Sequence, residues 1–279
     1  MGRLAAGVSG AIVRAALTPV RAAPQNRAER VSEELMGGVL KVLERRAEWV
    51  HCRGEDGYEG WVHAGSLLIR GADEAEAWWD GFGGEPIVTL DATLSDEAGR
   101  PLARLPWGAR LVRVGRGVRL PDGRWAELTE GRWVAWSELG SRFPQAGEAV
   151  IATAREWRGA PYVWGGRTCW GTDCSGYVQS VYRLHGFLLP RDSYQQAEVG
   201  EPIEADGDRA NLRPGDLLFF RGRESKRVVH VALSLGGSAI THAAQENGCV
   251  GTDDLRGGSE LERWLAASLV GVRRLFPPS

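Results

Sequence analysis

Cysteine is scarce and scattered: the 279 residues hold four, Cys52, Cys169, Cys174 and Cys249. No two form a C-x-x-C pair and none stands at ligand spacing from the five histidines, so a structural zinc site is not expected. A disulfide framework is equally unexpected in a chain of this size. Long apolar runs are missing as well, and nothing approaches the roughly 18 residues of a membrane span. Neither sign of charge dominates. Against 34 Lys and Arg stand 36 Asp and Glu, a net charge of −2, so there is no electrostatic case for nucleic acid or an anionic membrane as partner. The opening stretch, MGRLAAGVSGAIVRAALTPVRAAP, has a weak apolar segment that Arg14 and Arg21 interrupt before any convincing cleavage site. A signal peptide is therefore not expected, and the cytoplasm is the expected compartment. No motif asks for a cofactor, and none is expected.

Tryptophan and glycine are plentiful, at 12 and 38, which favours small β-rich modules with aromatic cores and many tight turns. Two stretches share a plan: VLKVLERRAEWVHCRGEDGYEGWVHAGSLL (39–68) and ARLVRVGRGVRLPDGRWAELTEGRWVAWSELG (109–140). Each offers an alternating strand, a second strand around Trp49 or Trp125, an acidic-glycine turn, and a closing pair, Trp61-Val62 or Trp133-Val134. Alternation of period two between such turns predicts short antiparallel strands in a small barrel, and two copies predict an internal repeat. The pattern resembles bacterial SH3-like domains. Between the copies, GADEAEAWWDGFGGEP (71–86) is an insertion or linker whose adjacent Trp78 and Trp79 are expected to pack between domains.

After Gly140 the pattern mixes helix and strand. Helical spacing runs through 146–159 and again from Asp173 to His185, while LRPGDLLFFRG (212–222) and RVVHVALSLGGSAITHAA (227–244) read as strands. The expected divisions are an N-terminal segment with a first barrel over 1–82, a second barrel over 83–144, and an α+β domain over 145–279.

The stretch TDCSG (172–176) places Cys174 at a helix start with Asp173 or Thr172 as N-cap. Unpaired backbone N–H groups and the positive end of the helix dipole there favour an anion, which predicts a lowered thiol pKa. A nucleophile needs a base, and His230 and His242 lie on the two following strands. A three-residue loop over 235–237 would set them directly opposite one another, with Cα atoms about 4.5–5.5 Å apart. One imidazole could then activate the thiol while the other orients it. Cys169, five residues earlier, is a rival nucleophile, whereas Cys52 and Cys249 read as structural. His185, at a helix C-terminus, is expected on the surface. His51 and His63 lie in the first barrel, outside any motif.

YVWGG (162–166), TDCSGYVQ (172–179), PRDSYQQ (190–196), LRPGDLLFF (212–220), VVHVALSLG (228–236) and THAA (241–244) occur in the order and approximate spacing of the NlpC-type cysteine peptidases. The resemblance implies two small all-β SH3-like barrels followed by an α+β papain-like catalytic domain. It further implies Cys174 as nucleophile, His230 as general base and then acid, and His242 as the residue orienting His230. Tyr162 matches a tyrosine near the nucleophile, whose hydroxyl would stabilise the oxyanion with the Cys174 backbone N–H.

The order of domains, with EDGYEGWV in the first barrel, resembles the γ-D-glutamyl-L-diamino-acid endopeptidases that recycle murein peptides. That resemblance implies a groove closed at one end by the first barrel, so that a free N-terminal L-alanine is required. Tyr58 matches a barrel tyrosine lining the pocket; Asp173, Ser175, Asp192 and Ser193 match positions beside the groove. Glu29 is a further candidate to pair with the substrate amine, since a buried ammonium needs an acidic partner. The expected partners are murein stem peptides, and a monomer is favoured. Two alternatives remain: a secreted hydrolase of intact peptidoglycan, and a catalytically silent adaptor that binds through its barrels.

Overall fold

The structure, a computed structural model, describes residues 9–276, and every count below refers to those residues. The chain divides between Arg142 and Phe143 into two compact units, each described by itself.

The first unit is all-β apart from short helical turns. Seven antiparallel strands form one sheet: β1 (Ser9–Val13), β2 (Leu17–Arg21), β3 (Arg30–Leu35), β4 (Val39–Arg46), β5 (Trp49–Arg53), β6 (Glu59–His63) and β7 (Leu67–Gly71). Their spatial order is β3-β2-β6-β5-β4-β1-β7. Ala11, Val13, Val20, Leu40, Val50, Cys52, Val62 and Leu67 share one core, so the sheet wraps over itself. The weakly apolar opening stretch thus supplies core strands from residue 9 onward. Ala11 and Val13 are fully buried because alternate side chains of β1 face the barrel interior.

A short helix, α1 (Ala72–Glu76), leads to a second sheet of β8 (Glu85–Ser95), β9 (Pro101–Leu105), β10 (Arg110–Val114), β11 (Gly117–Arg119) and β12 (Trp125–Ala135). Pairing of β10 with both β11 and β8 closes this sheet into a barrel. The 71–86 segment joins the two sheets: Trp78 and Trp79 stack and are buried with Ile12 and Val39 of the first sheet and Val112 of the second. Arg110 adds a polar tie, donating from both Nη atoms to Glu55 in the β5–β6 turn at 2.6 and 2.7 Å.

One sequence expectation for the second copy fails. Trp125 and Trp133 lie on a single strand, β12, with no turn between them. Two bulges absorb the TEG segment instead, and Gly131 there takes a φ of 93°, a conformation glycine adopts without strain. The repeat is therefore approximate. A four-residue helix, α2 (Leu139–Arg142), ends the unit.

The second unit is α+β. After α3 (Gly147–Arg155) come a tiny hairpin, β13 (Arg167–Thr168) and β14 (Gly171–Thr172), then α4 (Cys174–Leu184) and α5 (Ser193–Gln196). An antiparallel sheet of six strands follows: β15 (Glu201–Pro202), β16 (Leu217–Arg221), β17 (Val228–Gly236), β18 (Ala239–Ala244), β19 (Cys249–Asp254) and β20 (Leu269–Arg274). Helix α6 (Glu260–Ser268) lies between the last two strands in sequence. In spatial order the strands run β15-β20-β16-β17-β18-β19. Leu261 and Leu265 of α6 share a core with Leu218, Phe220, Ala232 and Ile240 of the sheet. Buried Tyr177, on α4, donates to the Ala154 carbonyl of α3 at 3.0 Å and its hydroxyl lies 3.3 Å from Thr241 Oγ1 of β18. These contacts fix α4, with Cys174 at its start, against the sheet that carries both histidines.

Among the described residues, no helix is long and apolar enough to cross a membrane.

Candidate active site

Asp173 is the N-cap of α4. Its Oδ1 accepts from the backbone N–H of Gly176 at 2.8 Å, and its Oδ2 from that of Gly165 at 2.9 Å. The glycine of TDCSG is required by packing: a Cβ at Gly176 would collide with the Gly166 carbonyl oxygen. Buried Arg191 completes the cap, with Nη2 at 2.6 Å from Asp173 Oδ2 and Nη1 at 3.1 Å from Oδ1. The same Nη1 donates to Ser175 Oγ at 2.8 Å. Asp173 and Ser175, on either side of Cys174, are thus both engaged by one guanidinium. Arg191 lies in the PRDSYQQ motif, but no spacing rule pairs residues 18 apart, and sequence reasoning missed it.

Cys174 is the first residue of α4 and is 7% exposed. A backbone hydrogen bond from Val231 reaches its sulfur, which brings the thiol against β17 at the residue following His230. The helix-start argument predicts a lowered thiol pKa, and here it fails. Burial pushes the thiol up to about 12 and the Asp173 charge adds to this, outweighing the N–H donors and Arg191. His230 shifts the other way: burial, with the neighbouring His242, holds its imidazole well below the ordinary histidine range. Both shifts favour the uncharged forms, thiol and neutral imidazole. Alkylation of Cys174 by iodoacetamide should therefore accelerate about tenfold per pH unit from pH 6 to 9, because only the thiolate reacts. A plateau across pH 6–8 would reveal a preformed thiolate–imidazolium pair and contradict this state.

The two histidines are hydrogen-bonded, His230 Nε2 to His242 Nδ1, at 2.7 Å. They are not directly opposite, as the three-residue loop would have made them. The turn falls one residue later, with Gly236 opposite Ala239, and a bulge at Leu235 shifts the pairing to Leu233↔Thr241. Gly236 and Gly237 carry φ values of 101° and 60°, which suit this tight connection. His242 consequently approaches His230 along the diagonal on one face of the sheet, within reach for long or aromatic side chains. Beyond it, His242 Nε2 lies 2.8 Å from Asp253 Oδ2, and Asn247 Nδ2 donates to the same oxygen at 2.8 Å. Sequence reasoning also missed Asp253 and Asn247. THAAQENGCVGTDD carries the signal, because an N-G turn between two apolar runs predicts the β18–β19 hairpin that brings them together.

The other candidates divide between the units. Tyr162 is half-buried, and burial, then its nearness to the ionisable groups of Cys174 and Asp173, push its phenol pKa up, so the hydroxyl stays a donor. Asp192 caps α5 with Gln195 in a capping box, and Ser193 is the first residue of that helix. Burial raises the Asp192 carboxyl, against the opposing charge of Arg191. Buried Gln196 donates to the Ser175 carbonyl at 3.1 Å and so ties α5 to the start of α4. Tyr58 and Glu29 belong to the first unit. Tyr58 sits in the β5–β6 turn, where its N–H donates to Asp56 Oδ1 at 3.0 Å, and it lines a small recess with Ser32, Glu34, Leu40 and Cys52. Glu29 is exposed just before β3.

His185 is not a surface residue. It is 2% exposed, with Nδ1 2.7 Å from the Pro144 carbonyl and Nε2 3.0 Å from Thr153 Oγ1, because α3 packs over the C-terminus of α4. Cys169 is partly exposed in the β13–β14 turn. Among the described residues, no group of histidine, cysteine and carboxylate side chains is arranged to hold a metal.

A thiol at a helix start, beside a strand carrying an imidazole that leans on a second imidazole and a carboxylate, can perform nucleophilic acyl transfer. Comparison with known proteins agrees with this geometry. The NlpC/P60 family model matches residues 159–268, and the model of the bacterial dipeptidyl-peptidase SH3 domain matches residues 20–67. The gamma-D-glutamyl-L-lysine dipeptidyl-peptidase of Bacillus cereus is 26% identical over 267 residues, covering 88% of this chain and 75% of the relative. Dipeptidyl-peptidase 6 of Lysinibacillus sphaericus is 29% identical over 288 residues, covering 95% and 99%. The crystal structure of an NlpC/P60 family protein from Bacillus cereus superposes with a TM-score of 0.77 over 96% of this chain and 100% of that one, at 23% identity. The expected fold class is the one observed: an SH3-like all-β region ahead of a papain-like catalytic domain. The chain belongs to the NlpC/P60 family of cysteine peptidases and carries a bacterial dipeptidyl-peptidase SH3 domain ahead of its catalytic domain.

Proposed function

We propose that the protein hydrolyses the γ-D-glutamyl–diamino-acid bond of peptidoglycan stem peptides that begin with a free L-alanine, as a step in recycling those peptides in the cytoplasm. The observation that carries this reading is similarity to a named gamma-D-glutamyl-L-lysine dipeptidyl-peptidase that extends through the barrel region as well as the catalytic unit. A peptidase that needed only its catalytic unit would give no reason for the barrels to be shared.

In this reading the Cys174 sulfur attacks the γ-carbonyl carbon while its proton passes to His230. Tyr162 Oη–H and the Cys174 backbone N–H donate to the developing oxyanion. The intermediate collapses by expelling the diamino-acid amine, which takes the proton from His230, and leaves a thioester between Cys174 and the D-glutamyl γ-carbon. Water then attacks the thioester with His230 as base, which restores the thiol and releases L-Ala-γ-D-Glu. A neutral resting pair suits this sequence, because the proton moves only as the sulfur–carbon bond forms.

Asp192 and Ser193, at the start of α5, and Asp173 and Ser175 beside the sulfur are the candidates for binding the substrate's amino end and γ-glutamyl unit. At Asp173 an ammonium would join a network already holding Arg191. Tyr58 and Glu29 are the candidates from the barrel. The test is mass spectrometry of products from stem peptides with free and acetylated N-termini, run beside intact sacculi. Cleavage of free L-Ala-γ-D-Glu-diamino acid with at least a hundredfold preference over the acetylated peptide is expected, since acetylation removes both the charge and the hydrogen-bond donors that the acidic candidates would bind. Equal cleavage of both peptides, or strong clearance of sacculi, would contradict the proposal.

A further inference from the structure

We infer that Asp253 is a positioning residue that fixes the tautomers of His242 and His230 and so leaves Nδ1 of His230 as the basic atom. This rests on the proposed role of His230 as base. The argument starts at the carboxylate, which can only accept hydrogen bonds when ionised. The hydrogen bond from His242 holds the Asp253 carboxyl below the usual carboxylate range. The partner at 2.8 Å, His242 Nε2, must then carry a proton. In neutral His242 that leaves Nδ1 with a lone pair, and the atom hydrogen-bonded to it is His230 Nε2, at 2.7 Å. His230 therefore donates from Nε2, and its single proton is used there. Its Nδ1 keeps the lone pair that can receive a proton from a thiol.

Burial makes this chain of assignments tight. His242 has no exposed surface, and its ring cannot exchange either partner for bulk water. Backbone register supplies the geometry: His242 pairs with Gly251 across β18 and β19, so Asp253, two residues on, lies diagonally on the same face. Asn247, from the connecting turn, donates to the same carboxylate oxygen and holds the side chain in place. The side-chain partners of Asp253 are His242 and Asn247. It would act through His242, and its charge would also steady the positive charge that appears on His230 once it takes the proton.

The test uses the full chain with Asp253→Leu and Asp253→Asn, read by ¹⁵N NMR of the imidazole rings and by kinetics on L-Ala-γ-D-Glu-diamino acid. In the wild type, His230 and His242 should both be protonated at Nε2 and bare at Nδ1. Asp253→Leu removes the acceptor, so His242 should redistribute its proton to Nδ1, and kcat should fall on the order of 10- to 100-fold, with KM changed less than about twofold. Asp253→Asn can keep the acceptor without the charge and should retain the wild-type tautomers with a smaller loss of kcat. It also keeps the test readable should the leucine variant not fold. A wild-type His230 protonated at Nδ1, or variants whose tautomers and kcat match the wild type, would overturn the inference. Because the ring spectra need no substrate, a wild type that failed to cleave the tripeptide would defeat the proposed reaction and leave the tautomer assignment to be judged by NMR alone.

Discussion

Replacing Arg191 with methionine is expected to destabilise the catalytic unit by about 3–5 kcal/mol, the range for stripping one partner from a buried ion pair. Arg191 and Asp173 are 2% and 5% exposed, and their closest contact is 2.6 Å. Methionine fills much of the volume but leaves the Asp173 carboxylate in the interior with backbone donors and no countercharge. Lysine does not repair the loss, because one ammonium cannot reach both carboxylate oxygens and Ser175 Oγ in the plane the guanidinium offers. Turnover should fall with stability, since Asp173 and Ser175 flank the cysteine. Combining Arg191→Met with Asp173→Asn should recover part of the cost, because the double variant buries no lone charge. Urea melts of the four proteins make the comparison. A cost below about 1 kcal/mol for Arg191→Met would mean that the pair behaves as an exposed one and does not hold the helix start.

The parts of this molecule that follow from local pattern were legible in the sequence. TDCSG announced a capped helix start, alternating apolar runs announced the strands of His230 and His242, and the W-V pair after a glycine turn announced the first barrel. Four features were not legible, each because it is decided by tertiary contact. The thiol pKa was misjudged because the helix terminus is visible in sequence, whereas the burial that overrides it is not. The histidines were expected face to face because a bulge at Leu235, which displaces the register, has no reliable local signal beyond the two glycines after it. His185 was expected in water because a helix C-terminus usually is, and only the packing of α3 against it hides the ring. Arg191 satisfies a carboxylate 18 positions away, a pairing that spacing does not encode. Asp253 differs from these, since the N-G turn before it predicts the hairpin that carries it to His242.

Replacing Cys174 with alanine has the largest expected effect on activity. The substitution removes one sulfur from a side chain that is nearly buried, so the fold should survive with a melting temperature close to that of the wild type. No other group in the proposed reaction can form the thioester. Cys169, five residues earlier in the β13–β14 turn, does not stand at a helix start. Loss of the nucleophile from a set of residues acting as a unit reduces turnover by several orders of magnitude, up to about a millionfold. Reduction of that size is far outside what a packing change at one site produces while the protein stays folded. The measurement that bears most directly on the account is therefore the release of L-Ala-γ-D-Glu from the murein tripeptide, followed by mass spectrometry for the wild type and for Cys174→Ala at matched folded concentration. Release by the wild type and none above background by the variant is the predicted result; undiminished release by the folded variant would contradict it.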